Sequence, residues 1–177
     1  HNKTGTKIFA RLNECNMKRN TGGAPIPFYN GLEILRAIIE DQRDYLWLKA
    51  HITSTTLYLS DWDDTIDMNN EFRVFVYQGK VTGISQYRWA DYFLAEWNKD
   101  QDSMRKVGND VLEFVEGKLI PALDGGEKVT FVTDVVLVGN QTWMIEINKF
   151  GGETGCGSAL FHWKRDEEQL YGDGSTY

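Results

Sequence analysis

Apolar and polar residues alternate in the stretch 71–77 (EFRVFVY), and this period of two predicts a β-strand. The alternation assigns Phe72, Val74 and Val76 to one face, and the other face receives Glu71, Arg73, Phe75 and Tyr77. Residues 78–80 (QGK) follow and are typical of a hairpin turn. We therefore expect residues 81–87 (VTGISQY) to return as a neighbouring antiparallel strand.

Four further stretches are rich in β-branched and aromatic residues and are bounded by turn residues, which predicts strands. They are Lys7–Leu12, Thr55–Trp62, Val129–Val138 and Thr142–Lys149, and the last two form a hairpin around Gly139–Asn140. Segments rich in Asn, Asp, Gly or Pro are predicted to be loops or turns. These segments are Asn13–Phe28, Asp61–Asn70, Asp124–Gly126 and Gly151–Gly157.

Apolar residues at three- and four-residue spacing predict helices in three other regions. The first helix starts at Gly31, and its apolar face comprises Leu32, Leu35, Ile38 and Ile39. A second, aromatic helix is expected around Trp89–Trp97. The third spans Ser103–Leu119 and ends near Pro121, with an apolar stripe of Val107, Val111, Phe114, Val115 and Leu119. Hairpins and helices that are segregated in this way predict an α+β fold with a mainly antiparallel sheet.

Composition and charge narrow the class of protein. The chain of 177 residues is 41% apolar and 13% aromatic, which excludes intrinsic disorder for most of it. No apolar run approaches the ~20 residues that span a bilayer, so we expect a soluble protein without a membrane partner. The 19 Lys and Arg against 26 Asp and Glu give a net charge of 19 − 26 = −7, so we expect no nucleic-acid partner.

The cysteines and the first residue give further expectations. Cys15 and Cys156 have neither metal-binding nor disulfide-rich spacing, which favours reduced thiols and a cytoplasmic location. His162 lies in the apolar run ALFHW and is expected to pack in the core. Because the chain begins with His1 rather than Met, we expect a fragment, a processed form or a tagged form.

Polar residues interrupt two otherwise apolar strands between residues 130 and 152. Asp134 lies in the first strand, and Glu146 and Asn148 lie two apart in the second, so both of these project from one face. A two-residue loop would turn Asp134 away from Glu146, whereas a three-residue loop (139–141) would place the two carboxylates opposite each other. We favour the three-residue loop because it gathers all three polar residues.

Two carboxylates and an amide at one place form a set of hard oxygen ligands. Mg²⁺ prefers a few protein oxygens together with phosphate oxygens and water. The pattern therefore favours a metal–phosphate site. Composition alone leaves the ordinary alternative equally open, in which these residues line a solvated face of the sheet.

Five blocks of the sequence, in their order and spacing, resemble the cell division cycle protein 123 family. The blocks are FARLNECNMKR (9–19), LYLSDW (57–62), EFRVFVYQGKVTGISQY (71–87), DVVLVGNQTWMIEINKFGG (134–152) and ALFHW (159–163). The resemblance implies an ATP-grasp fold that binds ATP and Mg²⁺ between two lobes. It also implies an assembly chaperone for translation initiation factor 2 that engages the gamma subunit.

The resemblance also implies a domain layout and a set of site residues. The chain would be a single ATP-grasp-like domain, with a partial N-terminal lobe at about 1–60 and a C-terminal lobe at 61–177. The metal ligands fall on Asp134, Glu146 and Asn148. The remaining nucleotide contacts fall on the adenine hinge Tyr58, Leu59 and Asp61, on Arg73 for phosphate, on Glu71 for ribose or for polarising Arg73, and on Arg11, Asn13 and Lys18.

Three departures from the family pattern qualify this expectation. Arg11 stands where the family has a lysine, Lys149 stands where it commonly has a proline, and the segment GGETGCGS is longer and richer in glycine than expected. The lobe before Phe9 is expected to be largely missing. Two other functions therefore stay open: an ATP-grasp ligase that forms an acyl phosphate and joins a carboxylate to an amine, and a nucleotide-binding module without turnover.

Overall fold

The structure is a computed structural model that describes residues 5–13, 25–89, 100–123 and 129–172. The chain divides into two compact units, unit 1 (His1–Asp64) and unit 2 (Thr65–Tyr177). Both units combine helices with antiparallel strands, so the predicted α+β class with mainly antiparallel sheets is confirmed. The division into ATP-grasp lobes stays a prediction.

The described part of unit 1 contains a pair of short strands and two helices. Strands β1 (Ile8–Leu12) and β2 (Leu57–Asp61) are antiparallel, which confirms both predicted strands. Helices α1 (Gly31–Glu40) and α2 (Gln42–Ala50) lie between them in the chain, and the periodicity predicted only the first. The buried core of this unit consists of Ala10, Leu12, Phe28, Ile34, Ala37 and Ile38.

Helix α1 buries a different face from the predicted one. Ile38 is buried as expected, but its buried neighbours are Ile34 and Ala37. The other three residues of the predicted apolar face are more than half exposed, with fractions of 59%, 56% and 65% for Leu32, Leu35 and Ile39. Two apolar stripes share this short helix, and the spacing of residues does not decide which stripe meets the core.

Unit 2 is built on a four-stranded antiparallel sheet with strand order β4-β3-β5-β6. Its strands are β3 (Glu71–Tyr77), β4 (Lys80–Gln86), β5 (Phe131–Val138) and β6 (Gln141–Asn148), and each was predicted to within two residues. In the turn between β3 and β4, Gln78 and Gly79 have φ values of 49° and 79°. This left-handed pair is what a tight two-residue hairpin requires.

Helix α3 (Gln101–Phe114) packs on one face of this sheet, which we call the helix-side face. The helix continues through a π-helical segment, Val115–Leu119, into the short helix α4 (Ile120–Ala122), so the predicted helix is confirmed. Its buried residues join those that β3 and β5 contribute to the helix-side core: Phe72, Val74, Val76, Val111, Val115, Leu119, Ile120, Phe131 and Val135.

The opposite face of the sheet, which we call the loop-side face, packs against residues 150–171. This segment contains a 3₁₀ turn, Gly152–Thr154, and the short helix α5 (Glu167–Tyr171). Phe75 and Val132 are fully buried there with Leu170. The central strands β3 and β5 are thus buried on both faces. Their side chains pack against the helix on one face and against residues 150–171 on the other.

Three other predictions have different outcomes. His162 is exposed, so the prediction that it packs in the core is wrong; its Nδ1 accepts from the backbone N–H of Lys164 and of Arg165 at 3.3 and 3.1 Å. The aromatic helix and the turn at 124–126 fall on residues 90–99 and 124–128, outside the described residues. Within the described ranges, no helix is long and apolar enough to cross a membrane.

Candidate metal site on the sheet of unit 2

Four polar side chains form one row across the loop-side face, which we call the polar row. Cross-strand pairing places Ser85 opposite Arg73, Arg73 opposite Asp134, and Asp134 opposite Glu146. Asn148 follows Glu146 by two residues on β6 and projects from the same face. The structure therefore brings Arg73 and the three predicted metal ligands together.

The hairpin that carries these ligands closes with a shorter loop than predicted. Val138 pairs with Gln141, so the loop is Gly139–Asn140 and the predicted three-residue loop is wrong. Gly139 has φ of 60°, a left-handed conformation that glycine adopts at little cost. With this loop and a regular ladder, Asp134 would face away from Glu146.

A β-bulge in β6 corrects the register. Val135 pairs with Met144, whereas the adjacent Asp134 pairs with Glu146, so Ile145 is one extra residue on the β6 side. A bulge of this kind re-aims the side chains beyond it. It moves Glu146 onto the face of Asp134. The predicted grouping is therefore present, but a β-bulge produces it and not a three-residue loop.

Arg73 and Asp134 form a bidentate pair at the centre of the polar row. Arg73 Nε donates to Asp134 Oδ1 at 2.8 Å, and Arg73 Nη2 donates to Oδ2 at 2.7 Å. The two side chains are only 8% and 1% exposed. Parallel bonds of this kind fix the plane of the carboxylate as well as its position.

Burial dominates the electrostatics of the polar row. Burial raises the pKa of Asp134, the hydrogen bonds from Arg73 oppose that rise, and the charge of Glu146 adds to it. Burial is the largest single effect on Arg73 and lowers its pKa, but the hydrogen bonds to Asp134 and the charge of Asp134 together outweigh burial, so the pKa of Arg73 is raised. Burial also raises the pKa of the free thiol of Cys156, while Cys15 lies outside the described residues.

The three predicted ligands fit a divalent cation that keeps several non-protein ligands. Asn148 Nδ2 donates to Glu146 Oε1 at 3.2 Å, so the amide and the carboxylate are neighbours. This bond uses the amide nitrogen, and the amide oxygen could serve as a metal ligand. Asp134 adds a second carboxylate, and Mg²⁺ takes one or two carboxylates beside phosphate and water oxygens. Among the described residues, no three His, Cys, Asp or Glu side chains form a metal cluster by themselves.

Residues 156–160, which we call the strap, cross the loop-side face over the polar row. Arg73 Nη1 donates to the carbonyl oxygen of Gly157 at 2.6 Å, and the backbone N–H of Leu160 donates to Ser85 Oγ at 3.1 Å. Trp163 Nε1 donates to the carbonyl oxygen of Cys156 at 2.8 Å. The glycine-rich segment, whose role the sequence did not predict, thus covers the site.

Unit 1 carries most of the other predicted nucleotide contacts. Arg11 on β1 pairs with Tyr58 on β2, and so both project from one face of the two-stranded sheet. Leu59 and Asp61 follow on β2, whose five residues are all exposed. Asn13 Oδ1 accepts from the backbone N–H of Thr56 at 3.3 Å, an interaction that extends the strand pairing. Lys18 lies outside the described residues.

Glu71 lies near the polar row, and Ser85 is one of its members. Glu71 lies two residues before Arg73 on β3 and is 4% exposed, and its roles toward ribose or Arg73 stay predictions. The bidentate hydrogen bonds of Arg73 go to Asp134 and not to Glu71. Ser85 was missed by the sequence reasoning. It lies opposite Arg73 because the pairing of β3 with β4 shifts by one residue between Phe75 and Val76, an irregularity that the predicted hairpin did not include.

Comparison with known proteins places this geometry in a family. The structure of Cdc123 from Schizosaccharomyces pombe is similar to this one with a TM-score of 0.70 at 22% identity, covering 97% of this chain and 70% of that chain. A C-terminally truncated form of Cdc123 from the same yeast also gives a TM-score of 0.70, at 20% identity and the same coverage. At this identity the likeness shows a shared fold.

Matches at the level of sequence are of two kinds. A search of curated protein sequences found no match. The family model described as D123, however, matches residues 38–172, which is more than half of the chain and includes the whole polar row. The chain therefore belongs to the D123 family, the family of cell division cycle protein 123 that its five sequence blocks resemble.

Proposed function

We propose that this protein binds Mg²⁺–ATP in an ATP-grasp-like manner, with the metal held on the loop-side face of unit 2. The observation that carries the proposal is the polar row. Two carboxylates from neighbouring strands lie opposite each other, with Asn148 beside them. Like charges held this close gain from a cation between them, and a cation that carries phosphate oxygens fits a set of only three protein ligands.

Each ligand has a distinct part in this site. Glu146 and Asn148 are half-buried on the edge strand β6, where a ligand can reach them. Asp134 lies deeper, and a carboxylate has about four lone-pair positions. Its two bonds from Arg73 use two of them, and the others face the side chain of Glu146, where a cation would lie between the two carboxylates. The metal would neutralise phosphate charge, which is the chemistry that Mg²⁺ supplies in nucleotide sites.

The adenine hinge and a phosphate contact that the family resemblance implies fall on the strands of unit 1. Reading adenine through backbone groups requires an accessible strand edge. Within the described part of unit 1 the sheet consists of β1 and β2, so β2 has an outer edge, and Tyr58 to Asp61 are exposed there. Arg11 projects from the face of Tyr58 and would contact phosphate.

The biological role that we propose is the one that the family resemblance implies. The protein would act as a cytoplasmic assembly chaperone for translation initiation factor 2 and would engage its gamma subunit, with ATP as a structural or switching ligand. The alternative, an ATP-grasp ligase, differs in one measurable respect. A ligase releases ADP and phosphate when a carboxylate and an amine acceptor are added, whereas a chaperone binds ATP without that dependence.

Calorimetric titration with ATP, with and without Mg²⁺, tests the metal site. Glu146→Gln keeps the size of the side chain and removes one carboxylate charge, and we expect Mg²⁺-dependent ATP affinity to fall at least about tenfold, as for a lost charged ligand worth about 1.5–3 kcal/mol. The matched control is Glu113→Gln, which makes the same change at an exposed position on α3, on the other side of the sheet. Equal ATP affinities in the wild type and Glu146→Gln would refute the proposal.

A further inference from the structure

We propose that Arg73 is a positioning residue that orients the metal ligand Asp134, and that the Gly157 carbonyl of the strap holds Arg73 in that position. This inference rests on the proposed function and deepens it. It assigns to Arg73 a role different from the phosphate contact that the sequence predicts. The strap then becomes part of the metal site without touching the metal.

The guanidinium of Arg73 is held on several sides. Nε and Nη2 bind the two oxygens of Asp134, and Nη1 binds the carbonyl oxygen of Gly157 at 2.6 Å. The ring of Tyr87 lies under the group, with its centroid 4.7 Å from Cζ. These bonds use three of the five N–H donors of the guanidinium, including both donors of its Nε–Nη2 edge. That edge points at Asp134.

The strap is shaped to make this contact. A Cβ atom at Gly157 would lie 3.2 Å from Arg73 Nη1, closer than carbon and nitrogen normally approach. Because the bidentate pair fixes Nη1, a side chain at this position would displace the strap from Arg73. Glycine therefore permits the close approach of backbone to guanidinium, and a Cβ atom here would require a shift of a few tenths of an ångström.

Other bonds keep the strap over the polar row. Ser85 Oγ accepts from the backbone N–H of Leu160, and Trp163 Nε1 donates to the carbonyl oxygen of Cys156. The Trp163 ring packs edge-on against Phe75, with centroids 5.4 Å apart. The strap is thus tied at both ends, and its central carbonyl lies on Arg73. The Gly157 carbonyl thus holds the guanidinium of Arg73, and Arg73 in turn holds the carboxylate of Asp134.

The test separates metal affinity from nucleotide affinity in the full chain. Arg73→Lys keeps the positive charge but cannot form the bidentate pair. Measured by calorimetry at fixed ATP, the Mg²⁺ concentration for half-maximal binding should rise about tenfold, the scale at which outer-shell partners act on metal affinity. Saturating Mg²⁺ should restore wild-type ATP affinity. If Arg73 contacts phosphate instead, ATP affinity stays low at saturating Mg²⁺.

Gly157→Ala provides a second variant that leaves Arg73 in place. It should shift the Mg²⁺ midpoint in the same direction by a smaller factor, about two- to fivefold, because the strap acts one step further from the metal. Arg165→Lys is the matched control, since Arg165 forms a bidentate pair with Asp166 that is exposed and separate from the polar row, and its Mg²⁺ midpoint should not move.

The outcomes distinguish this inference from the proposed function. If wild-type protein shows no Mg²⁺-dependent ATP binding, the proposed function fails. If the wild type binds but folded Arg73→Lys keeps the wild-type Mg²⁺ midpoint, or loses ATP affinity that saturating Mg²⁺ does not restore, the positioning role is wrong. If Arg73→Lys does not fold, an unchanged midpoint in folded Gly157→Ala overturns the inference by itself.

Discussion

Two arginine–aspartate pairs in unit 2 share nearly the same hydrogen-bond geometry in opposite surroundings. In each pair Nε and Nη2 donate to the two carboxylate oxygens, at 2.8 and 2.7 Å for Arg73–Asp134 and at 2.9 and 2.6 Å for Arg165–Asp166. The side chains of the first pair are 8% and 1% exposed, and those of the second are 67% and 21% exposed. The two pairs therefore have similar hydrogen bonds and differ in their exposure to solvent.

The two aspartates respond in opposite directions to the same kind of partner. Burial raises the pKa of Asp134 despite its bonds from Arg73, whereas the bonds from Arg165 lower the pKa of Asp166 to about 2. Desolvation penalises a charged group before any partner compensates it. A short bidentate pair therefore shows only how the two side chains are placed. Burial determines how much the pair contributes to the free energy of unfolding and how much stability is lost when one partner is removed.

Removal of one partner from each pair gives the largest contrast. Arg73→Met leaves Asp134 buried without its bidentate partner, and we expect the free energy of unfolding to fall by about 3–5 kcal/mol. Arg165→Met leaves Asp166 in contact with water and should change the unfolding midpoint little. Urea denaturation followed by tryptophan fluorescence measures both. Similar losses in the two variants would show that burial does not separate the pairs.

The strands of unit 2 were predictable because their alternation is regular and their turns have clear residues. The burial of α1 was not predictable, because Leu32, Leu35 and Ile39 have the spacing of a buried stripe and only tertiary packing shows that Ile34 and Ala37 face the core. Helix α2 was missed for a related reason. Its apolar residues, which include partly buried Trp47, do not form a clear stripe.

The grouping of Asp134, Glu146 and Asn148 was predictable, but the contacts that support these side chains were not. Charged residues inside apolar strands drew attention to Asp134 and Glu146, although the register argument relied on a loop length that the structure contradicts. No pattern in the sequence marks the bulge at Ile145. The contact of Gly157 with Arg73 joins residues 84 positions apart, and a glycine-rich stretch gives no indication of which carbonyl lies on which side chain.

Replacement of both members of the buried pair sharpens the comparison. Arg73→Met combined with Asp134→Leu removes the unpaired charge as well as the pair, and such exchanges are often neutral or stabilising. We therefore expect the double variant to regain most of the stability lost in Arg73→Met and to unfold within about 1 kcal/mol of the wild type. Mg²⁺-dependent ATP binding should be lost, since Asp134 is gone.

The same denaturation series decides this prediction. A double variant that is as unstable as Arg73→Met alone would mean that the buried pair stabilises the fold beyond the cost of an orphaned charge. A double variant near the wild type would mean that the pair is kept for the site and not for stability. The exposed pair has no counterpart to this test, because neither of its members is left buried when the other is removed.

The smallest expected effect is a change in the pH dependence of stability at the exposed pair. Folding lowers the pKa of Asp166 from 3.8 to about 2, chiefly through the hydrogen bonds from Arg165 and with a second contribution from the backbone N–H of His162. A carboxyl with a lowered folded-state pKa binds fewer protons when folded, so its contribution to stability is present above about pH 4 and disappears as the pH falls toward 2.

In thermal unfolding between pH 6 and pH 2, Asp166→Asn should therefore be less stable than the wild type at pH 6, and the two curves should converge at pH 2. The Arg165→Met variant should show the same convergence, because it removes the main cause of the lowered pKa. Curves that stay parallel over this range would show that the exposed pair is not linked to folding at all, and the contrast with Asp134 would then rest on the buried pair alone.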